Sequence, residues 1–154
     1  MADSPQLLTD LRLALRNAEL RPVYGVDTDS RRITAGQDRP RVFNDIGIVG
    51  GRENLAQAIV LRLLTPRGEL SALGHPGYGS RLHELIGRRN NEGTRNLIKL
   101  HILEALQSEA RVAEVVSVVT TPHPVQRGRV DVTLSVLPIG ESDILRIGPF
   151  TLEL

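Results

Sequence analysis

Apolar and polar positions along the chain alternate between two periods. From Pro5 to about Glu19, Leu7, Leu8, Leu11, Leu15 and Ala18 recur at helical spacing. Ser4 suits a helix N-cap and Pro5 the first helical position, so an amphipathic helix is expected there. It would pack on its own domain or on a partner. Arg21 to Arg41 loses the pattern. Pro22, Gly25, Gly36 and Pro40 among many charges read as a flexible arm, with a short ribbon around Arg32–Thr34. Phe43 to Val49 reads as a strand or an extended entry segment, broken by Gly50 and Gly51.

The remainder is more regular. Arg52 to Leu64 predicts a helix with Leu55, Ile59 and Leu63 on one face, and Arg52, Gln57 and Arg62 elsewhere. Thr65-Pro66-Arg67-Gly68 ends it. A Gly/Pro-dense loop, Gly74 to Ser80, leads to a short helix over Arg81–Ile86. Asn91 caps a longer helix, about Glu92 to Ser108, with Leu97, Ile98, His101, Ile102, Ala105 and Leu106 as its buried stripe. Three strands follow: Val112–Thr121, Arg129–Leu137 and Ile144–Leu154. The second alternates cleanly, with Val130, Val132, Leu134 and Val136 on one side. The third slips phase by one residue at Gly148-Pro149, which predicts a bulge or an edge.

Helices followed by consecutive strands predict an α+β fold. The expected architecture is a three-stranded, or four-stranded, antiparallel sheet packed against helices, with an N-terminal helix and arm. Residues 1–42 would form the helix and arm, and residues 43–154 the α+β domain.

Composition narrows the chemistry. The 154 residues suffice for one domain with a real core, and the formal net charge is only +1. That leaves no basic excess for nucleic acid. The only aromatic residues are Tyr24, Phe43, Tyr78 and Phe150, so platforms for stacking bases or sugars are scarce. Without cysteine there are no disulfides, zinc thiolates or thiol nucleophiles. Lys99 is the sole lysine; the other cations are arginines, suited to bidentate carboxylate pairing. No run reaches the length of a membrane span, and no signal peptide is evident at the N-terminus.

No metal or cofactor site is expected. His75, His83, His101 and His123 show no ligand spacing, and His101 reads as a hydrogen-bonded core histidine. Asp27, Asp29 and Asp38 lack the spacing of a calcium loop. Asp45, Glu69, Glu84 and Glu109 are the candidates for a glycosidase acid and its partner, with Tyr78 as the one central aromatic.

From Glu53 onward, about two thirds of the chain, the residues resemble a known family. Leu63-Leu64-Thr65-Pro66-Arg67-Gly68-Glu69 and His75-Pro76-Gly77-Tyr78-Gly79-Ser80-Arg81-Leu82 look like the signature of baseplate assembly protein W, the gene-25-like wedge family of contractile tails. Thr94-Arg95 opening the long helix, Arg111-Val112, and Gly128-Arg129-Val130-Asp131-Val132 extend the resemblance. It implies a small α+β subunit of the inner baseplate of a phage tail, type VI secretion system or extracellular injection particle. Larger wedge subunits and the sheath would be its partners, with hub or spike proteins as further candidates. The subunit would be folded in the bacterial cytoplasm before entering the particle.

Many members carry Glu-Pro-Arg between the long helix and the sheet; here Glu109-Ala110-Arg111 keeps both charges without the proline. The candidate partner-binding residues are Tyr78, Gly79, Arg81, Glu109 and Arg111 in the matching motifs, with Ile147, Phe150 and Leu152 on a final strand expected to leave an open edge. No enzymatic activity is expected. A peptidoglycan-cleaving enzyme of the tail and an assembly factor absent from the finished particle are the alternatives.

Overall fold

A computed structural model describes residues 8–14, 25–33 and 41–154; the side chains of residues 30–33 and 41–44 fall outside the description. The main sheet has three strands, β5 (Val112–Pro122), β6 (Arg129–Pro138) and β7 (Leu145–Glu153), in that spatial order and antiparallel throughout. Two helices cover one face: α1 (Gly51–Leu64) and α2 (Glu92–Leu106). The expected α+β class and meander are present.

Strand β6 is central, and its alternation decides the layering. Val130, Val132, Leu134 and Val136 are each 0% exposed, whereas Asp131, Thr133 and Ser135 between them are not buried. Each such buried aliphatic side chain is worth about 1.5–3 kcal/mol relative to exposure. They pack with Leu55, Ile59 and Leu63 of α1, with Ile98, Ile102, Ala105 and Leu106 of α2, and with Ile147, Phe150 and Leu152 of β7. The Asn91 side chain caps α2, accepting from Thr94 N at 2.8 Å. The expected short helix at 81–86 is a 3-10 turn over Leu82–Leu85.

The phase slip in β7 is a bulge. Val132 faces Phe150 and Leu134 faces Ile147, so Gly148 and Pro149 together oppose Thr133. Gly148 has φ +99°, and a Cβ there would lie 2.7 Å from Val132 O. The extra residue returns Phe150 and Leu152 to the core face that Ile147 already occupies.

The N-terminal expectation needs correction. From Thr9 to Leu13 the chain forms strand and bridge pairings, not a helix. β1 (Thr9–Leu11) pairs antiparallel with β4 (Ile48–Gly50), and Leu13 bridges Val26. The period-2 run Asp10-Leu11-Arg12-Leu13 carried that signal, overshadowed by the helical spacing of the leucines. The rest of the expected helix lies outside the described residues. The arm contains a longer ribbon than expected: β2 (Thr28–Ile33) pairs with β3 (Arg41–Ile46), although Thr34 lies outside the description. The expected boundary at 42/43 falls inside β3.

The loop after α1 is pinned to the helix end. Ser80 N donates to Thr65 O at 2.8 Å, Arg67 N donates to Ser80 O at 2.8 Å, and the buried Ser80 hydroxyl donates to Leu63 O at 2.7 Å. Only glycine fits before Ser80. Gly79 has φ +102°, and a Cβ would stand 2.5 Å from Thr65 O and 2.8 Å from Pro66 O. Gly79→Ala is expected to cost at least ~2 kcal/mol in urea unfolding. Gly74→Ala, at φ +84° with nothing within 4 Å of its Cβ, should cost roughly half as much or less. Equal costs would contradict this packing.

Candidate functional site

A charged cluster gathers where three chain segments meet. Arg62 comes from the last turn of α1, Tyr78 from the glycine-rich loop, and Glu109 and Arg111 from the α2–β5 turn. Arg62 Nη2 donates to Glu109 Oε2 at 3.1 Å, and Nη1 donates to the Ser108 hydroxyl at 2.9 Å. Its guanidinium lies over the Tyr78 ring, 4.4 Å from the centroid. Arg111 Nε donates to Glu109 Oε1 at 2.8 Å. Both carboxylate oxygens of Glu109 are thereby bound to different arginines.

Burial makes the arrangement exacting. Glu109 is 7% exposed and Arg62 8%. Burial pushes the Glu109 carboxyl up. The hydrogen bond and charge of Arg111, with the charge and hydrogen bond of Arg62, outweigh burial and hold it below its ordinary value. Burial likewise raises the Tyr78 hydroxyl against the pull of Arg62, so it remains protonated at neutral pH. Arg62 Nε is buried with no hydrogen-bond partner. Arg111 makes no hydrogen bond with its two terminal nitrogens among the described residues.

The cluster forms one wall of an open cavity of about 490 Å³. α1 contributes Asn54, Gln57, Ala58 and Leu61, and the N-terminal segment contributes Leu8, Thr9 and Asp10.

The expected site residues separate into three groups. Tyr78, Glu109 and Arg111 come together, with Gly79 beneath them as the buried backbone hinge of the loop. Arg81 stands apart: its Nε and Nη2 both donate to Glu84 at 2.9 Å on the exposed surface. Ile147, Phe150 and Leu152 are 6%, 4% and 8% exposed and belong to the core. Their side chains therefore do not present a docking surface, because Ile147 faces the core and the bulge returns Phe150 and Leu152 to the same face. Arg62 was missed. It lies seven residues after Leu55 and three after Ile59, a spacing that places it on the buried stripe of α1 despite its charge.

Other candidates resolve simply. His101 is buried, with Nδ1 3.3 Å from Glu104 Oε2. Asp27 accepts from Thr28 N, Asp29 pairs with Arg12, and Asp38 lies outside the described residues. Among the described residues no three His, Asp or Glu side chains cluster to hold a metal ion. Of the four carboxylates considered for glycan cleavage, only Glu109 lines the cavity; Asp10 is the second carboxylate there, its Oδ1 accepting from Leu11 N.

The fold has a solved counterpart. A crystal structure from Geobacter sulfurreducens, provisionally named a tail lysozyme, superposes with a TM-score of 0.56 at 26% identity. The match covers 66% of this chain and 89% of that one. No family model matches the chain, and no curated protein does. The likeness supports a protein of phage-tail type, at that coarse level.

The charge arrangement sets a pH dependence. A carboxyl whose folded pKa is depressed stabilises the protein fully above its unfolded pKa, and that contribution is lost as pH falls through the folded value. Glu109→Gln should therefore lower stability by about 3 kcal/mol at pH 7, the order seen when one partner of a buried pair is removed. The difference from wild type should shrink in the acid range below the ordinary carboxylate pKa. Urea unfolding from pH 7 to pH 3 measures it; a constant difference would contradict the ionic role.

Proposed function

We propose that this chain is a structural subunit of the inner baseplate of a contractile, phage-tail-like injection particle, joining larger wedge proteins to the first sheath layer. The observation that carries the proposal is the Arg62–Tyr78–Glu109–Arg111 cluster. It is hydrogen-bonded, charge-bearing and set in the wall of a cavity, with guanidinium nitrogens of Arg111 left for an acceptor on another chain. The tail name of the solved counterpart supports the same setting. Arg62 and Arg111 against the single Glu109 favour a partner that brings carboxylates or free carbonyls.

The same geometry disfavours glycan cleavage. A general acid must carry a proton near neutral pH, which calls for a raised pKa. Glu109 is held the other way by two arginines. Glu84, hydrogen-bonded to Arg81, is also shifted down and sits outside the cavity. Asp10 is exposed, and the other carboxylate of that cavity is Glu109, which two arginines already hold.

Sheath attachment, in this reading, uses main chain. Among the described residues β7 is paired on one side only, by β6, and its other side suits strand addition. Removing residues 144–154 would also remove three core side chains, so a truncation does not separate docking from folding.

Two measurements test the proposal. Arg111→Ala should fold, with a thermal midpoint lowered by a few degrees, yet enter purified particles at least ~10-fold less than wild type, a loss of about 1.4 kcal/mol or more in docking. Mass spectrometry of the particles reads the incorporation. Normal incorporation would remove the cluster from the interface, and absence of the wild-type chain would favour an assembly factor. The wild-type chain should leave the turbidity of a purified peptidoglycan suspension unchanged. Clearing that disappears in Glu109→Gln or Asp10→Asn would establish the enzyme instead.

A further inference from the structure

The cavity has one wall unlike the others. Asn54, Gln57, Ala58 and Leu61 belong to a helix, and Arg62 and Glu109 are buried, but Leu8, Thr9 and Asp10 are all exposed. Among the described residues β1 adds no side chain to the hydrophobic core and pairs with one strand, β4, itself three residues long. At its start Gly51 N of α1 donates to Leu8 O at 3.2 Å, and further along a side chain of α1 grips it. Gln57 Nε2 donates to Leu11 O at 2.8 Å, and Gln57 Oε1 accepts from Leu13 N at 2.9 Å. The amide thus acts as a clasp on the free edge of β1. At the other end Leu8 adopts φ +55°, a conformation that costs a leucine energy, while 62% exposed. Beyond the clasp, Arg12, Asp27 and Gly47 exchange main-chain hydrogen bonds at a three-segment junction.

We propose that β1 is a displaceable strap, held by Gln57 across the outer face of α1, whose release widens the cavity beside Arg62 and Glu109. Segments that place no side chain in the core open at lower free energy than the core. Release bares Asn54, Gln57, Ala58 and Leu61 next to the arginine cluster, making a groove along α1. The three-segment junction at Arg12 serves as the hinge. That the groove receives a partner chain rests on the docking function proposed above; the strap itself does not depend on it.

Amide hydrogen exchange on the full chain, alone in solution, tests the strap. Two amides report on it: Leu13 N, bound to Gln57 Oε1, and Gly51 N, bound to Leu8 O at 3.2 Å. Gln57→Ala should speed both by roughly ten-fold or more, the effect of losing two hydrogen bonds, and leave Val130 and Val132 unchanged. A lock supplies the opposite perturbation. Leu11 and Ile48 are cross-strand partners between the hydrogen-bonded positions 12/47 and 8/51, where Cα atoms stand about 4.5 Å apart, within disulfide range. The chain has no cysteine of its own, so Leu11→Cys/Ile48→Cys is a clean pair. Its oxidised form should slow exchange at Leu13 and Gly51 relative to its reduced form. Unchanged exchange in Gln57→Ala, uniform acceleration that includes the core, or no difference between oxidised and reduced lock would each overturn the strap. None of these outcomes involves a partner, so they leave the docking function to be judged on particle incorporation.

Discussion

The Glu109 carboxylate ties together the end of α1, the Tyr78 loop and the turn into β5. One oxygen takes Arg62 from the end of α1, and the other takes Arg111 at the start of β5. Arg62 in turn supports the Tyr78 ring, and the Tyr78 loop is fastened to Thr65 and Pro66 through a glycine that no other residue can replace. A buried carboxylate in this position is costly unless both oxygens are satisfied by charge. Loss of any one arm therefore loosens helix end, turn and loop together.

Much of the domain was legible in the sequence because its signals are periodic. Clean alternation in β6, helical spacing in α1 and α2, and the Asn91 cap each have one dominant reading, and the structure follows them. The bulge at Gly148-Pro149 was visible as a slip of phase. Residues 8–14 were not legible in this way, because leucines at 8, 11 and 15 fit a helix while Leu11 and Leu13 fit a strand. Pairing with β4 and the Gln57 amide decide for the strand, and both are tertiary.

The site was half legible. Tyr78, Glu109 and Arg111 stood out through family resemblance and charge, but nothing local said that Arg62 would join them. A charged residue on a buried stripe is the relevant signal, and it has meaning only when its counter-charge is known to lie within reach. Ile147, Phe150 and Leu152 show the reverse error. The open edge of their strand pointed to them for partner binding, whereas a sheet packed against helices needs their side chains inside. The core claims those three side chains, so the recognition proposed for this domain rests on charge and main chain instead.

A reconstruction of purified particles at side-chain resolution tests that conclusion most directly. Density for this chain in the baseplate, with a neighbouring polypeptide within hydrogen-bonding distance of the Arg111 guanidinium and against the Tyr78 loop, is the expected result. A baseplate that lacks the chain, or holds it with that cavity open to solvent and untouched by any neighbour, would contradict it.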